Sequence, residues 1–238
     1  MLTLYKYGPA WDVLDISPFC SKVEVYFRLR KIDYTPHIAN SRKSPKQKLP
    51  TVKVDDRVIC DSSAIVAHFE SLSAKPLDAG MTPLEVSVAH AYRGLIEEKL
   101  YFVAAWARWG DDSAWLNYRP AIMGYFGKIG LPSFLHSIFA TMARKQVLNA
   151  IREQGIGRHS REDIYTMGAE ILKSISVFLA DKTYFMGEQV RTIDVTVYAF
   201  LSAIMDVAMD TPLKQAALSL PNLSAYCARM KRTINEDV

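Results

Sequence analysis

The sequence predicts two domains, an α/β domain over residues 1–75 and an all-helical domain over residues 83–238. Short runs typical of strands come before residue 62, whereas apolar residues recur with helical period after residue 82. The segment between the domains, residues 73–82 (SAKPLDAGMT), has neither period and is rich in small, turn-forming residues. A chain of 238 residues is long enough to bury two separate cores.

The first half of the α/β domain is predicted to be a strand–helix–strand unit. Residues 2–7 (LTLYKY) alternate as a strand does, and a loop follows from Gly8. Ser17 and Pro18 are favoured at the N-cap and first position of a helix, so a helix is expected from there to about residue 31. Residues 34–38 then form a second strand, parallel to the first.

The second half is predicted to be a hairpin followed by a helix. In residues 51–60 (TVKVDDRVIC), two β-branched runs flank an Asp-Asp turn. Asp61 and Ser62 supply helix-start side chains, and an apolar helical face follows. The whole domain is therefore expected to contain a four-stranded mixed sheet.

The second domain is predicted to be entirely helical. Breaks at Gly, Pro, Asp and Ser divide its helical periodicity. Helices are expected over 83–109, 131–154, 161–180, 192–209 and 221–234, with one further helix over 110–130.

Composition excludes several classes of protein. Three cysteines, Cys20, Cys60 and Cys227, are too few for a disulfide framework, which favours free thiols and a cytoplasmic location. The start of the chain lacks the pattern of a signal peptide, and no apolar run is long enough for a membrane span. The five histidines are scattered without ligand spacing, so no metal site is predicted.

The excess positive charge lies in the first domain. Residues 1–75 contain 12 Lys and Arg against 8 Asp and Glu, whereas the rest of the chain has equal numbers. Arg42, Lys43, Lys46 and Lys48 follow one another without an acidic residue between them. This short cluster favours a small anionic ligand or a solvated loop over nucleic acid.

The segment from Ser17 to Cys20 (SPFC) is the first candidate for chemistry. It has the C-x-x-C spacing with serine in the first position, at the start of a helix whose N–H groups attract anions. Lowering a thiol pKa from about 8.5 to about 6.5 requires roughly 2.7 kcal/mol. A helix terminus can supply up to about 2 kcal/mol and a hydrogen bond about 1.5–3 kcal/mol. Simple helix capping by Ser17 and a buried, inert Cys20 remain open alternatives.

Further candidates come from the ends of the other strands. The Tyr7 hydroxyl can face the same loop, or Tyr7 can be a half-buried strand residue. If the bond between Leu49 and Pro50 is cis, the Leu49 backbone turns toward a neighbouring extended peptide. At the next helix start, Ser62 can bind a carboxylate and Asp61 an ammonium group, although capping explains both residues equally well.

Three motifs together, SPFC (17–20), KLPT (48–51) and DSSAI (61–65), resemble the glutathione transferase superfamily over the entire chain. The resemblance implies a thioredoxin-like first domain and an all-helical second domain. It places Ser17 at the thiol-activating position and the Leu49 backbone against the cysteinyl part of glutathione. It also places Lys48 near the glycyl carboxylate, and Asp61 and Ser62 at the γ-glutamyl end.

The second domain narrows the resemblance. The segments GIGRHS (155–160), EDIY (162–165) and DKTYFMG (181–187) are similar to the branch that contains failed axon connections proteins, metaxins and bacterial relatives. Some members of that branch are assembly factors rather than enzymes. One departure from the superfamily is Arg191, which stands where a Ser or Thr usually caps a helix. We therefore expect Thr192 to provide a shifted or weaker cap, with Asp194 structural.

The resemblance implies a glutathione transferase in which the glutathione thiolate attacks a small hydrophobic electrophile. Tyr101, Trp106 and Trp109 are candidates for an apolar acceptor pocket, although core packing also explains them. The alternatives are a non-catalytic binding or assembly module with the same fold, and a glutathione-dependent thiol oxidoreductase that uses Cys20. The superfamily commonly pairs subunits, so a homodimer is expected.

Overall fold

A computed structural model describes residues 1–235, and the last three residues of the predicted second domain lie outside the described part. The first domain contains a four-stranded sheet with the order β2-β1-β3-β4. Strand β1 is parallel to β2, whereas the β1–β3 and β3–β4 pairs are antiparallel. The predicted mixed sheet is confirmed. The strands are β1 (Leu2–Lys6), β2 (Thr35–Ile38), β3 (Thr51–Val54) and β4 (Arg57–Cys60).

Strand register brings three chain segments to one edge of the sheet. Tyr5 near the end of β1 pairs with Thr51 at the start of β3, and Thr51 pairs with Cys60 at the end of β4. The segments after β1 and β4 and the segment before β3 therefore leave the sheet at the same edge. Helix α1 (Pro18–Leu29) and helix α2 (Ser62–Ser71) also begin there.

The second domain is helical, as predicted. The expected helix over 83–109 is α3 and α4 joined by a π-helical segment, and the less regular stretch 110–130 contains α5. The expected helix over 192–209 ends earlier, at Met205, and a short helix that we did not predict follows it. The helices are α3 (Pro83–Gly94), α4 (Tyr101–Trp109), α5 (Asp112–Lys128), α6 (Ser133–Gln154), α7 (Arg161–Leu179), α8 (Thr192–Met205), α9 (Pro212–Leu218) and α10 (Pro221–Thr233).

The unpredicted helix α9 is short, and local groups mark its start. Thr211 accepts a hydrogen bond from the backbone N–H of Lys214, and Pro212 occupies the first helical turn. Seven residues give too few helical repeats for a periodicity signal. The Thr-Pro pair at its start was the available signal.

Helix α8 joins the two domains. Every residue from Ile193 to Met205 is buried, as expected of a helix that is apolar on all sides. It packs against α1 of the first domain and against α3, α9 and α10 of its own. The residues at the start of α1 are therefore held in place by the second domain.

The first turn of α8 is capped from the segment between the domains. Arg191 occupies the N-cap position, and its N–H donates to Asp194, which is structural in this geometry. We expected Thr192 to provide the cap, but its hydroxyl donates a hydrogen bond instead of accepting one. Asp78 accepts hydrogen bonds from both the Thr192 N–H and its hydroxyl, at 2.8 and 2.5 Å. A distant carboxylate thus supplies the acceptor that Arg191 cannot provide.

Candidate active site

Ser17 lies at the N-cap of α1, where the sequence predicts it. Its backbone is extended (φ −98°, ψ 121°), and its side chain makes no capping hydrogen bond. The Ser17 side chain also lowers the pKa of the Cys20 thiol, one turn into the helix, although burial outweighs this effect. The hydroxyl of Ser17 is therefore not used to hold the helix end.

Asp15 fixes the backbone on both sides of this loop. One carboxylate oxygen accepts from the Ser17 N–H at 2.8 Å, and the other accepts from the Gly8 N–H at 2.6 Å. The side chain is fully buried, and burial raises the pKa of Asp15 to about 7. Asp15 therefore ties the end of β1 to the start of α1.

Arg108 of α4 holds the same loop from the second domain. Its guanidinium donates to the carbonyl of Ile16 at 2.9 Å and also to the carbonyl of Ala203 in α8. The guanidinium carbon lies 5.7 Å from the centre of the Tyr118 ring. Arg108 is buried and forms no salt bridge with a residue of the described range 1–235. It leaves a positive charge next to the Ser17 segment.

A buried ion pair lies beneath the loop. Lys6 at the end of β1 contacts Glu24 of α1, and its ammonium is 3.9 Å from Asp15. Lys6 also donates to the carbonyl of Leu14 at 2.8 Å. The loop between β1 and α1 is thus held by charged groups from its own domain as well as by Arg108.

Cys20 is a buried thiol. None of its surface is exposed, and burial together with the nearby Asp15 carboxylate raises the pKa of the Cys20 thiol well above its ordinary value. Reactive cysteines require the opposite, a lowered pKa and access to solvent. The geometry is that of a small core residue beneath the Ser17 hydroxyl.

Several tyrosine side chains pack near the Ser17 segment, against Ile16 and Phe19. Tyr7 follows β1, is half-buried, and has its ring 5.1 Å from that of Tyr125 in α5. Burial raises the pKa of Tyr7, and nearby Cys20 and Tyr101 raise it further. Burial also raises the pKa values of Tyr101 and Tyr118. These phenols are therefore protonated at neutral pH and can donate hydrogen bonds.

Leu49 and Pro50 lie at the same edge of the sheet. Their peptide bond is cis, and both side chains are buried. In the part of the chain that the structure describes, no group hydrogen-bonds to the Leu49 N–H or carbonyl. Lys48 next to them is exposed. The Leu49 N–H and carbonyl thus have no hydrogen-bond partner within residues 1–235.

Asp61 and Ser62 form the start of α2. One oxygen of Asp61 accepts from the N–H groups of Ser63 and Ala64, at 2.9 and 3.1 Å. Asp61 has a φ of 88°, a left-handed conformation that is unusual for a residue other than glycine. Ser62 is buried, whereas Asp61 is exposed. Asp61 caps the helix, and its second oxygen accepts no hydrogen bond from residues 1–235.

The second domain also reaches the start of α2. Glu97, in the π-helical segment Leu95–Leu100, is 2.6 Å from the ammonium of Lys22 in α1. Lys22 donates to the Ser63 hydroxyl at 2.7 Å. Burial lowers the pKa of Lys22, and Glu97 opposes this effect. This network connects α1, α2 and the second domain directly behind Ser62.

The three predicted pocket residues have different surroundings. Tyr101 is half-buried, and its ring is 4.8 Å from that of Phe19 in α1, on the Ser17 side. The Trp109 ring stacks on Trp115 at 5.3 Å and meets Tyr118 at 5.0 Å. Trp106 contacts Tyr165 of α7, at 5.6 Å between ring centres. Tyr101 therefore joins the Ser17 surroundings, whereas Trp106 faces the core of the second domain.

Sequence reasoning missed Asp15, Arg108, Tyr118 and Tyr125. The pair Asp15 and Ser17 has the spacing of a turn in which an Asp side chain accepts the N–H two residues on, so Asp15 could have been found. Arg108 gave no signal, because an arginine in an amphipathic helix is usually solvated. Its role depends on a contact between residues 92 positions apart.

A cavity within residues 1–235 lies away from the edge of the sheet that carries Ser17. This cavity of about 330 Å³ is bordered by Asp78, His90, Arg93 and Thr192, none of which belongs to the edge with Ser17. No cluster of three potential metal ligands occurs in this range. None of its helices has the length and apolar character to cross a bilayer.

Solved structures share this fold. The β-etherase LigF from Sphingobium sp. strain SYK-6 superposes with a TM-score of 0.64 and 14% identity, over 99% of this chain and 97% of its own. Glutathione transferase F7 from Populus trichocarpa gives a TM-score of 0.62 and 14% identity, over 99% and 98%. The predicted combination of a thioredoxin-like domain and an all-helical domain is thus confirmed.

Sequence comparison establishes the family. A glutathione S-transferase N-terminal domain matches residues 18–115, and a glutathione S-transferase C-terminal domain matches residues 168–230. The isoprene-epoxide glutathione S-transferase of Rhodococcus sp. (strain AD45) is 32% identical over 98% of both chains. Failed axon connections of Drosophila melanogaster is 30% identical over 97% of this chain and 57% of its own length. Metaxin-1 of Macaca fascicularis is 23% identical over 96% and 74%. The chain therefore belongs to the glutathione S-transferase family.

Proposed function

We propose that the protein binds glutathione along the edge of the sheet that carries Ser17, Leu49 and Ser62, and transfers it to a small electrophile. The observation that carries the proposal is this common edge, which contains a hydroxyl that does not cap its helix, a backbone segment without hydrogen-bond partners in residues 1–235, and a helix start. Ser17 would face the glutathione thiol, the Leu49 backbone would pair with the peptide backbone, and Ser62 would bind the γ-glutamyl group. Lys48 would face the glycyl carboxylate, and Asp61 the ammonium group.

The Ser17 hydroxyl would donate a hydrogen bond to the glutathione thiolate. The α1 N-terminus adds a favourable dipole, and the buried Arg108 adds a positive charge without a carboxylate to neutralise it. Asp15 and Arg108 would act as positioning residues, since they hold the backbone at Ser17 and Ile16. Tyr7 is the competing donor, because its hydroxyl stays protonated.

A small epoxide is the electrophile that we favour. The Rhodococcus relative is named for an isoprene epoxide, and protonated tyrosines pack near the Ser17 segment here. The thiolate would form a bond to one epoxide carbon while the carbon–oxygen bond breaks. The resulting alkoxide would take a proton from Tyr7 or Tyr101, and water would return to the phenol the proton that the glutathione thiol released to solvent on ionising. The products balance as one thioether alcohol per glutathione and epoxide.

The test is calorimetry with glutathione followed by turnover of a small epoxide, in the wild type and in Ser17→Ala. Loss of a hydrogen bond to a charged group should slow turnover roughly 10- to 150-fold while affinity is largely kept. Ser87→Ala, at an exposed hydroxyl on α3, is the matched control. An unchanged Ser17→Ala rate together with a slow Tyr7→Phe variant would assign the role to Tyr7. No heat with millimolar glutathione would refute the proposal.

A non-catalytic binding or assembly module is the second candidate. It is favoured by the packing of Tyr7, Tyr118 and Tyr125 in one cluster with Ile16, which fills part of the space beside Ser17 with the protein's own side chains. Failed axon connections and metaxin-1 are also among the relatives. Glutathione binding without turnover of any small epoxide would support this candidate over the first.

Thiol–disulfide exchange through Cys20 has the least support. The thiol is fully buried and has a raised pKa, so it lacks the properties of an attacking thiolate. The test is reduction of a mixed disulfide of glutathione. Activity in the wild type that is lost in Cys20→Ser would support thiol–disulfide exchange through Cys20. Cys60→Ser is the matched control at a more exposed thiol.

A cytoplasmic location and a homodimer belong to the same proposal. The three cysteines form no disulfide, which is compatible with a reducing compartment. Sedimentation velocity of the purified protein tests the dimer, and fractionation of the producing cells tests the location.

A further inference from the structure

Helix α6 carries an apolar stripe on its exposed side. Phe134, Ile138 and Met142 are 77%, 56% and 55% exposed. They are four residues apart, so they lie on one face of the helix over about 12 Å. A soluble monomer seldom exposes three large apolar side chains in a row, and such a patch indicates an interaction surface.

The helical hairpin that carries the stripe has no negative charge from Ser113 to Arg152. These 40 residues of α5 and α6 contain five Lys and Arg but no Asp or Glu. Lys128 and Lys145 of this segment are exposed. Neither of them forms a salt bridge with a described residue.

The tip of the hairpin adjoins a second positive segment. The Tyr125 hydroxyl donates to the carbonyl of Ala39 at 2.9 Å, and it lies 3.4 Å from the Ser41 N–H. The 3₁₀ turn that begins at Ser41 opens the basic cluster of residues 42–48, which is also without acids. The tip of the hairpin and the start of the basic cluster are therefore neighbours in the structure.

We propose that this side, the apolar stripe of α6 with the cations of α5, α6 and residues 42–48, docks on an anionic lipid bilayer. Exposed apolar side chains on a helix can enter the headgroup region while lysines at its border bind anionic lipids. A bilayer needs no matching shape, which favours it over an acidic protein.

Charge also argues against a second copy of this chain as the occupant. A two-fold interface would place the same patch against itself, and the acid-free hairpins would bring like charges together. An anionic surface is complementary to all of these cations at once. Vesicle binding is measured without glutathione, so the failure of this proposal and that of the proposed function are distinguishable.

The experiment is cosedimentation with vesicles of phosphatidylcholine alone and of phosphatidylcholine with phosphatidylserine. The wild type should bind only the vesicles that contain phosphatidylserine, and added salt should weaken binding. Phe134→Ser with Ile138→Ser should lower the partition coefficient at least about tenfold, because buried apolar area is lost. Lys128→Glu with Lys145→Glu should do the same. Val177→Ser, at a 69% exposed apolar residue of α7, is the matched control.

Three results would overturn the proposal. The first is no binding to either vesicle, and the second is an equal loss of binding in the control variant. The third is conversion of a dimer to a monomer by the Phe134→Ser, Ile138→Ser variant without vesicle binding, which would make a second copy the occupant. Binding to polyglutamate but not to vesicles would likewise assign the face to an acidic protein. Circular dichroism of each variant verifies that the helices are retained.

Discussion

The two ends of the candidate glutathione edge are built in different ways. At the Ser17 end, Asp15, Lys6 and Arg108 are buried, and Arg108 comes from the other domain. At the Asp61 end, the exposed carboxylate caps its own helix through N–H groups two and three residues away. The backbone at Ser17 is thus held by tertiary contacts, whereas the Asp61 cap is a product of local sequence.

This difference matters because the loss of a hydrogen-bond partner lowers the free energy of unfolding more for a buried polar group than for an exposed one. A buried carbonyl that loses its donor pays the full cost of desolvation, but an exposed N–H can turn to water. Substitutions at the Ser17 end should therefore affect global stability, and substitutions at the Asp61 end should affect mainly one helix start.

The largest effect is expected for Arg108→Met. The change leaves the carbonyls of Ile16 and Ala203 buried without their donor, at about 1–3 kcal/mol each. Urea unfolding should therefore show a loss of roughly 2–6 kcal/mol in the free energy of unfolding. Arg232→Met, at an exposed arginine of α10, should stay within about 0.5 kcal/mol. A loss below about 1 kcal/mol in Arg108→Met would contradict the buried role.

An intermediate effect, dependent on pH, is expected for Asp15→Asn. The unfolded carboxyl titrates near 3.8 and the folded one near 7, so the folded state holds more protons between these values. Wild-type stability therefore falls across this window as pH rises, whereas asparagine does not titrate. Asparagine also has one acceptor oxygen for two N–H groups, at a cost of about 1–3 kcal/mol.

The stability difference between wild type and Asp15→Asn should accordingly shrink from pH 5 to pH 8. Thermal or urea unfolding at several pH values measures it, and the contribution of Asp194 cancels because both proteins retain it. A difference that grows with pH would mean that the folded carboxyl has a lowered pKa, with its N–H donors and Lys6 outweighing burial.

The smallest effect on stability is expected for Asp61→Ala. Loss of the cap should cost about 1 kcal/mol, within the range of 0.5–2 kcal/mol for such changes. Because alanine keeps the unfavourable φ of 88°, Asp61→Gly should be the more stable of the two. Urea unfolding ranks the variants, and glutathione calorimetry tests the ammonium role separately. If both variants bind glutathione as tightly as the wild type, Asp61 is a cap only.

Much of the architecture was predictable because its signals are local. Ser17 and Pro18 marked the start of α1, Asp61 marked the start of α2, and period-two runs marked the strands. The division at residues 76–82 stays a prediction. Helix α9 was not predicted, because seven residues are too few to show helical periodicity.

The sequence by itself determined where helices and strands begin, because capping groups, proline and apolar periodicity act over a few residues. The resemblance to the glutathione transferase superfamily implied that Ser17, Leu49 and Ser62 contact one ligand, but the edge that they share depends on the strand order and register of the folded sheet. Only the tertiary structure decided what surrounds them. Arg108 at Ile16, Asp78 at Thr192 and the tyrosines around Cys20 are contacts between distant residues, and desolvation gives such contacts their energy only once the chain has packed.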